Sequence, residues 1–485
     1  MAESWATFGR DLHLDLTGPG GVRAALTRAL REAVRTGRLA PGTRLPSSRS
    51  LAADLSLARN TVADAYGDLV AEGWLTARQG SGTRVAHRAV PHPAAVRPAP
   101  PERDRRPAYD LRIGTADVSA FPRSAWLAAG RRAISAAPND AFGYGDPRGH
   151  PVLRAALADY LARARGVRTE PARIVVCAGF MQGLAVLGRV LRARGVREAG
   201  VESYGLWLHR DVLRRAGLRT VPLTVDEHGA RTEELTAHRG VRAALLTPAH
   251  QYPTGASLHP DRRAAVVDWA SRTGSVILED DYDGEFRYDR QPIGALQGLD
   301  PEHVVYFGTA SKSLAPGLRL AWMALPGHLA HEVAEVKGAG EWGTGTLEQL
   351  TLAEFIACGA YDRHVRAMRL RYRRRRDRLV AVLADRAPHI AATGIAAGLH
   401  AVLRLPPGTE PSAIEAAAWH GLAVEGLNRF RYRAPGAPPT TPPAEGPDAL
   451  VIAYGTPSEH AFEGVLEALL RSLPGPGPGA GAGAV

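Results

Sequence analysis

The sequence predicts two domains of different class: a small, mainly helical N-terminal module closed by a β-hairpin, and a large α/β domain whose sheet is covered by helices on both faces. Three observations predict this. A chain of 485 residues with 45% hydrophobic content exceeds one ordinary domain and is able to bury at least one large core. Between Gly21 and Ala86, apolar residues recur at helical spacing and then alternate as in a hairpin. Beyond residue 107, short apolar runs such as Ile174 to Cys177, Ala243 to Leu246 and Val276 to Leu278 are separated by longer helical stretches.

In the N-terminal module Val22, Leu26, Leu30 and Val34 predict the buried stripe of a first helix that ends near Gly37. A turn of Pro41, Gly42 and Pro46 follows, and Ser47 or Ser48 caps a second helix carrying Leu51 and Leu55. A third helix begins near Arg59, with Val62, Tyr66, Leu69 and Val70 facing inward, and stops at Gly73. Leu75 to Val85 then alternates about the turn Gln79-Gly80-Ser81-Gly82. The expected boundaries are 1–87 for this module, 88–107 for a linker with six prolines and five arginines, 108–473 for the large domain, and 474–485 for a disordered Pro/Gly/Ala tail. A proline-rich insertion is expected at 434–447.

The net charge of +11 permits a polyanionic partner without specifying a site. Cys177 and Cys358 are too few and too far apart to argue a disulfide framework or a thiolate metal site, and no metal is assigned. No run of about 18 apolar residues could span a bilayer, and the N-terminus lacks a signal-peptide pattern, so a cytoplasmic protein with no membrane partner is expected. Of the 60 basic residues, only Lys312 and Lys337 are lysine. Arginine replaces lysine as a charge, but a guanidinium cannot provide the free amine that forms a Schiff base.

Three helices with a wing suit DNA, because the third helix can enter the major groove while the wing meets the backbone or minor groove. Arg59, Asn60 and Thr61 open that helix, Arg49 lies on the preceding one, and Arg78, Gln79 and Gly80 sit at the wing. The segments Pro41 to Arg49, Arg59 to Val62 and Leu69 to Leu75 resemble the winged helix-turn-helix of the GntR family, which implies a double-stranded DNA operator as partner. Ser56 and Ala58 depart from that resemblance, which has glycine in the turn and serine at the helix cap.

Lys312 follows the apolar run Val304 to Phe307, in a loop where Thr309 and Ser311 offer hydroxyls and Arg319 offers a cation to a phosphate. The strand Val276 to Leu278 runs into Glu279-Asp280-Asp281-Tyr282, which places Asp280 for a pyridinium nitrogen and Tyr282 for a ring hydroxyl. Lys337 lies in helix-like sequence and is assigned a structural role. With Tyr144-Gly-Asp-Pro-Arg-Gly149 and Thr247-Pro-Ala-His-Gln-Tyr-Pro-Thr-Gly255, these pieces resemble the fold-type I, aspartate-aminotransferase-like enzymes over roughly 108–473. That resemblance implies pyridoxal 5'-phosphate as a Schiff base on Lys312, its phosphate on the backbone at Gly179, Phe180 and Met181, and Tyr144 reaching the partner subunit of a homodimer.

Three positions depart from the enzyme pattern. Tyr252 replaces an asparagine, which leaves His250 or Tyr282 for the ring hydroxyl. Leu206 aligns with the ring-stacking aromatic, which leaves Tyr204 or Trp207. The carboxylate-binding arginine is absent near Leu450, and Arg429 and Arg431 are the candidates. The order of the two modules resembles the MocR/GabR regulators, which implies a transcriptional regulator whose DNA binding responds to the cofactor or its aldimine with a small amine or amino-acid effector. An active aminotransferase with an appended DNA-binding module remains the alternative.

Overall fold

The computed structural model describes residues 14–16, 20–78, 82–87, 107–288, 293–340, 344–434 and 446–475. Gln79 and Gly80, the linker before Pro107, most of the 434–447 insertion and the tail from residue 476 lie outside these residues. The chain divides into two compact units between Arg106 and Pro107.

The first unit contains α1 (Gly21–Arg35), α2 (Ser48–Asp54), α3 (Arg59–Ala71) and an antiparallel pair, β1 (Leu75–Arg78) and β2 (Gly82–Val85). Leu26, Leu30, Val34, Leu51, Val62, Tyr66, Leu69, Leu75 and Val85 form one core. Ser47 is the cap of α2, its hydroxyl accepting from the Ser50 N–H at 3.1 Å. Two expected core residues are instead exposed, Val22 at 49% and Val70 at 36%. Val22 lies in the first turn of α1. Val70 lies at the edge of the buried α3 stripe made by Val62, Ala65, Tyr66 and Leu69.

The second unit is built on a seven-stranded sheet. Its strands are β3 (Ile174–Cys177), β4 (Glu198–Glu202), β5 (Arg219–Leu223), β6 (Val241–Leu246), β7 (Val276–Asp280), β8 (Val304–Thr309) and β9 (Ala321–Ala324), in the order β3-β9-β8-β7-β6-β4-β5. Only β9 runs antiparallel to its neighbours. Alternate residues of one strand serve two cores: Ile174, Val176, Tyr306 and Trp322 pack on one face, and Val175, Cys177, Val305, Phe307 and Met323 on the other. This burial of both faces explains why the strands read as continuous apolar runs. Helices α4 (Phe180–Ala193), α5 (Trp207–Arg215) and α6 (Gly327–Gly340) belong to this part. A smaller sheet, in the order β10 (Ala392–Thr393), β11 (Ala401–Arg404), β13 (Ala449–Ile452), β12 (Glu425–Gly426), packs into a further core with Tyr372, Leu379 and Leu466. Among the described residues no helix is long and apolar enough to cross a membrane.

Candidate cofactor site and DNA-reading surface

The carboxyl ends of β6, β7 and β8 open on the crevice where parallel sheets bind ligands. At one side β3 turns into α4 through Gly179, whose φ of +103° favours glycine. A Cβ there would lie 2.7 Å from the Arg319 guanidinium. Arg319 itself has φ +54° and donates to the Ala178 carbonyl, while the Ala178 N–H donates to Gln182 Oε1 at 2.5 Å. Opposite, the Ser311 N–H donates to Thr309 Oγ1 at 3.1 Å, and Thr309 Oγ1 lies 2.9 Å from Ser311 Oγ. A helix start with Phe180 and Met181 in its first turn, a guanidinium and two hydroxyls form a cradle suited to a phosphate.

Lys312 Nζ donates to the Gly114 carbonyl at 2.6 Å. Burial lowers its pKa, against the opposing pull of Asp283 and Asp280, so the free amine is more accessible than on a surface lysine. Asp280 is buried at the end of β7. Burial raises its pKa well above the carboxylate range; Asp281, Glu202 and Asp283 raise it further, and Lys312 opposes them. Asp281 has its own cation, accepting from Arg165 at 2.7 and 3.0 Å and from the Tyr306 hydroxyl at 2.8 Å. Asp280 instead lines a small cavity with Glu202, Leu206, His209, Thr247 and Tyr252. A cation such as a protonated ring nitrogen would favour the charged form of Asp280 in this acid-rich pocket, and in that chemistry the residues fit pyridoxal phosphate.

Tyr282 Oη lies 3.1 Å from His250 Nδ1, which is 2.8 Å from Asp283 Oδ2. His400 Nε2 lies 3.0 Å from the Pro253 carbonyl oxygen. Donor atoms of His250, Asp283 and His400 come within 4.8 Å of one another, a buried cluster not flagged by the sequence reading, which assigned no metal.

Two families match the chain: the bacterial regulatory proteins of the gntR family over residues 23–85, and the class I and II aminotransferases over residues 110–457. It is 34% identical to the HTH-type pyridoxine biosynthesis transcriptional regulator PdxR of Corynebacterium glutamicum, covering 85% of this chain and 89% of that one. Identity to the probable rhizopine catabolism regulatory protein MocR of Rhizobium meliloti is 33%, covering 87% and 90%. The chain belongs to the MocR-type regulators. The fold agrees: kynurenine aminotransferase of Pyrococcus horikoshii superposes with a TM-score of 0.66 at 22% identity, over 75% of this chain and 90% of that one. Membership supports the regulator reading over that of an aminotransferase with an appended module.

In this MocR-type chain the gntR domain implies DNA binding. Arg59 and Asn60 are exposed at the start of α3, Thr61 is half-buried beside them, Arg49 is exposed on α2, and Arg78 is exposed at the end of β1. In the large unit Tyr144 is 95% exposed. Of the ring-face candidates, Tyr204 lines the Asp280 cavity, whereas Trp207 lines a separate one. Arg429 and Arg431 also line that second cavity and not the Asp280 cavity. Arg429 pairs with Glu425 at 2.9 Å, and the Arg431 guanidinium sits 5.5 Å over the Tyr204 ring.

Sequence reasoning missed Glu202 and His209. Glu202 accepts from the Thr247 hydroxyl at 2.6 Å and from Gln251 Nε2 at 3.1 Å, and burial raises its pKa to about 7. Burial lowers the pKa of His209 to about 3, so its imidazole is neutral beside Phe180. The position of Glu202 at the end of a strand, beside the ring-face segment, is the signal that could have revealed it.

Proposed function

We propose that the chain is a DNA-binding transcriptional regulator that holds pyridoxal 5'-phosphate at Lys312, and that occupancy by the cofactor, alone or with a small amine or amino acid, modulates operator binding. The observation that carries this reading is the convergence of Lys312, buried Asp280 and the Gly179–Arg319 cradle in a chain that also has a gntR reader. When bound, pyridoxal phosphate supplies an aldehyde that condenses with amines and a ring that acts as an electron sink. Lys312 would offer the amine, Asp280 would hold the ring nitrogen, and Tyr282 with His250 would serve the ring hydroxyl. Gly179, Phe180, Met181, Thr309, Ser311 and Arg319 would hold the phosphate. Tyr144 completes the site of the partner in a homodimer, and Arg49, Arg59, Asn60, Thr61 and Arg78 meet the operator, with Gln79 and Gly80 at the wing. The cellular setting proposed is the cytoplasm.

Absorbance and DNA-binding titrations of the full chain test the proposal. Added pyridoxal phosphate is expected to give a visible band that borohydride bleaches, absent in Lys312→Ala, and amines that shift the band are expected to shift operator affinity. Operator affinity that ignored both cofactor and amines would overturn the regulatory reading, and a bleachable band retained in Lys312→Ala would overturn the lysine assignment.

A further inference from the structure

The second cavity, of about 520 Å³, is chemically unlike the first. Among the described residues, five arginines line it, Arg210, Arg214, Arg429, Arg431 and Arg433, against one carboxylate, Asp211. Asp211 is engaged by Arg214 at 2.5 Å and Arg215 at 2.6 Å, and Arg429 is held by Glu425. Arg210 is the unusual member: its hydrogen bonds run to the Phe430 and Arg431 carbonyls at 3.5 and 3.1 Å, and its guanidinium lies 5.5 Å over the Tyr432 ring. Carbonyls and a ring satisfy its donors without neutralising its charge, and burial lowers its pKa to about 10. A positive wall built around a half-buried guanidinium is complementary to an anion able to take several charge-assisted hydrogen bonds.

Four of the five arginines line this cavity and not the Asp280 cavity, and Arg210 lines both, so the two cavities adjoin at that residue. Arg210 also fastens a strap. The Gly205 N–H donates to the Phe430 carbonyl at 2.9 Å, the Tyr432 N–H to the Ser203 carbonyl at 2.7 Å, and the Tyr432 hydroxyl to the Thr220 carbonyl at 2.9 Å. The strap thereby holds the 203–206 loop, whose Tyr204 and Leu206 wall the Asp280 cavity.

We propose that this cavity binds a small, multiply charged oxyanion, a phosphomonoester or a polycarboxylate, at a place separate from Lys312, and that Arg210 joins the two sites through the strap. An anion that draws Arg210 from its carbonyls alters the loop walling the cofactor site, which is a coupling between sites with a physical carrier. The anion site is built from residues other than those proposed to hold the cofactor, so its existence does not rest on the proposed function.

Calorimetric titration of the full chain at low salt with inorganic phosphate, and separately with citrate, tests this. Beside any binding in the cofactor cradle, one further saturable site is expected that Arg319→Ala changes by no more than about twofold and Arg214→Ala/Arg433→Ala weakens about tenfold or more. Both of the doubly substituted residues are exposed, and an unchanged thermal midpoint verifies that this variant is folded. Trp207, 49% exposed on the cavity wall, is expected to report binding by a fluorescence change lost in Trp207→Phe. The tighter of the two anions identifies the chemical class. Absence of saturable binding overturns the site. Loss in Arg319→Ala with retention in the double variant places the anion in the cofactor cradle and also overturns it. Binding of non-specific duplex DNA that only the double variant loses, without saturation by either small anion, makes the wall a nucleic-acid contact instead.

Discussion

The two units use charge in opposite ways. In the DNA-reading unit the ion pairs lie at the surface: Arg23 with Asp68 and Arg31 with Glu72 keep about a third to a half of each side chain in solvent. Arg49, Arg59 and Asn60, proposed to read the operator, are exposed too. In the aminotransferase-like unit, Arg165 and Asp281 retain only 6% and 1% exposure, and Glu202 and Asp280 are buried nearby. A long solvated polyanion is met at a surface, whereas a small cofactor is enclosed. Recognition and stability are therefore separable in the first unit and entangled in the second.

The sharpest way to break this contrast is to delete one arginine from each unit. Arg165→Ala leaves a buried carboxylate without its cation and is expected to cost roughly 3–5 kcal/mol in denaturant unfolding of the large unit. Arg31→Ala is expected to cost less than about 1 kcal/mol. Equal losses would mean that burial does not distinguish the two units.

Acid–base linkage extends the contrast. Glu202 has a folded pKa raised to about 7 by burial from an ordinary value of 4.5, so the folded state binds its proton more tightly than the unfolded state does. Its contribution is fully present below 4.5 and lost as pH rises through about 7. Asp226 runs the other way: its hydrogen bond to Arg262 lowers its pKa to about 2, giving stability present above 3.8 and lost as pH falls through about 2. His209 and His400, whose pKa values burial lowers to about 3, raise stability over part of the same range, so the Glu202 contribution is read as a difference: between pH 4.5 and 7 the cofactor-free chain is expected to lose stability relative to Glu202→Gln in chemical denaturation of the large unit. No pH-dependent difference between the two would leave the acid-side contribution to Glu279 and Glu285, which burial also raises to about 7.

In the DNA-reading unit, Arg59→Ala is expected to weaken operator binding by about 1–3 kcal/mol, measured by fluorescence anisotropy. The same variant is expected to change unfolding stability by no more than about 0.5 kcal/mol. A large stability loss would place this residue in the fold and not only in the reading surface. The smallest effect concerns the two departures before α3. Ser56 has φ +53°, and Ala58 is a cap without a side-chain hydrogen bond. Ser56→Gly and Ala58→Ser are each expected to raise stability by up to about 1 kcal/mol, read as a higher thermal midpoint.

The sequence by itself determined what local pattern carries. Helical spacing defined the first unit, continuous apolar runs defined the doubly covered sheet, and motifs at strand and helix ends nominated Lys312, Asp280, Arg319 and Arg59 as site residues, because the ends of regular elements are where side chains meet ligands. The tertiary structure decided what depends on distant partners. Val22 and Val70 are exposed because neighbouring helices, and not periodicity alone, set the edge of the core. Arg165 meets Asp281 across 116 positions, and His250, Asp283 and His400 gather from three separated segments. Arg429 and Arg431 face a basic cavity rather than the Asp280 pocket because the strap at Phe430 to Tyr432 is pinned to Ser203, Gly205 and Thr220. Such contacts follow from sheet order and packing, which no local window of residues contains.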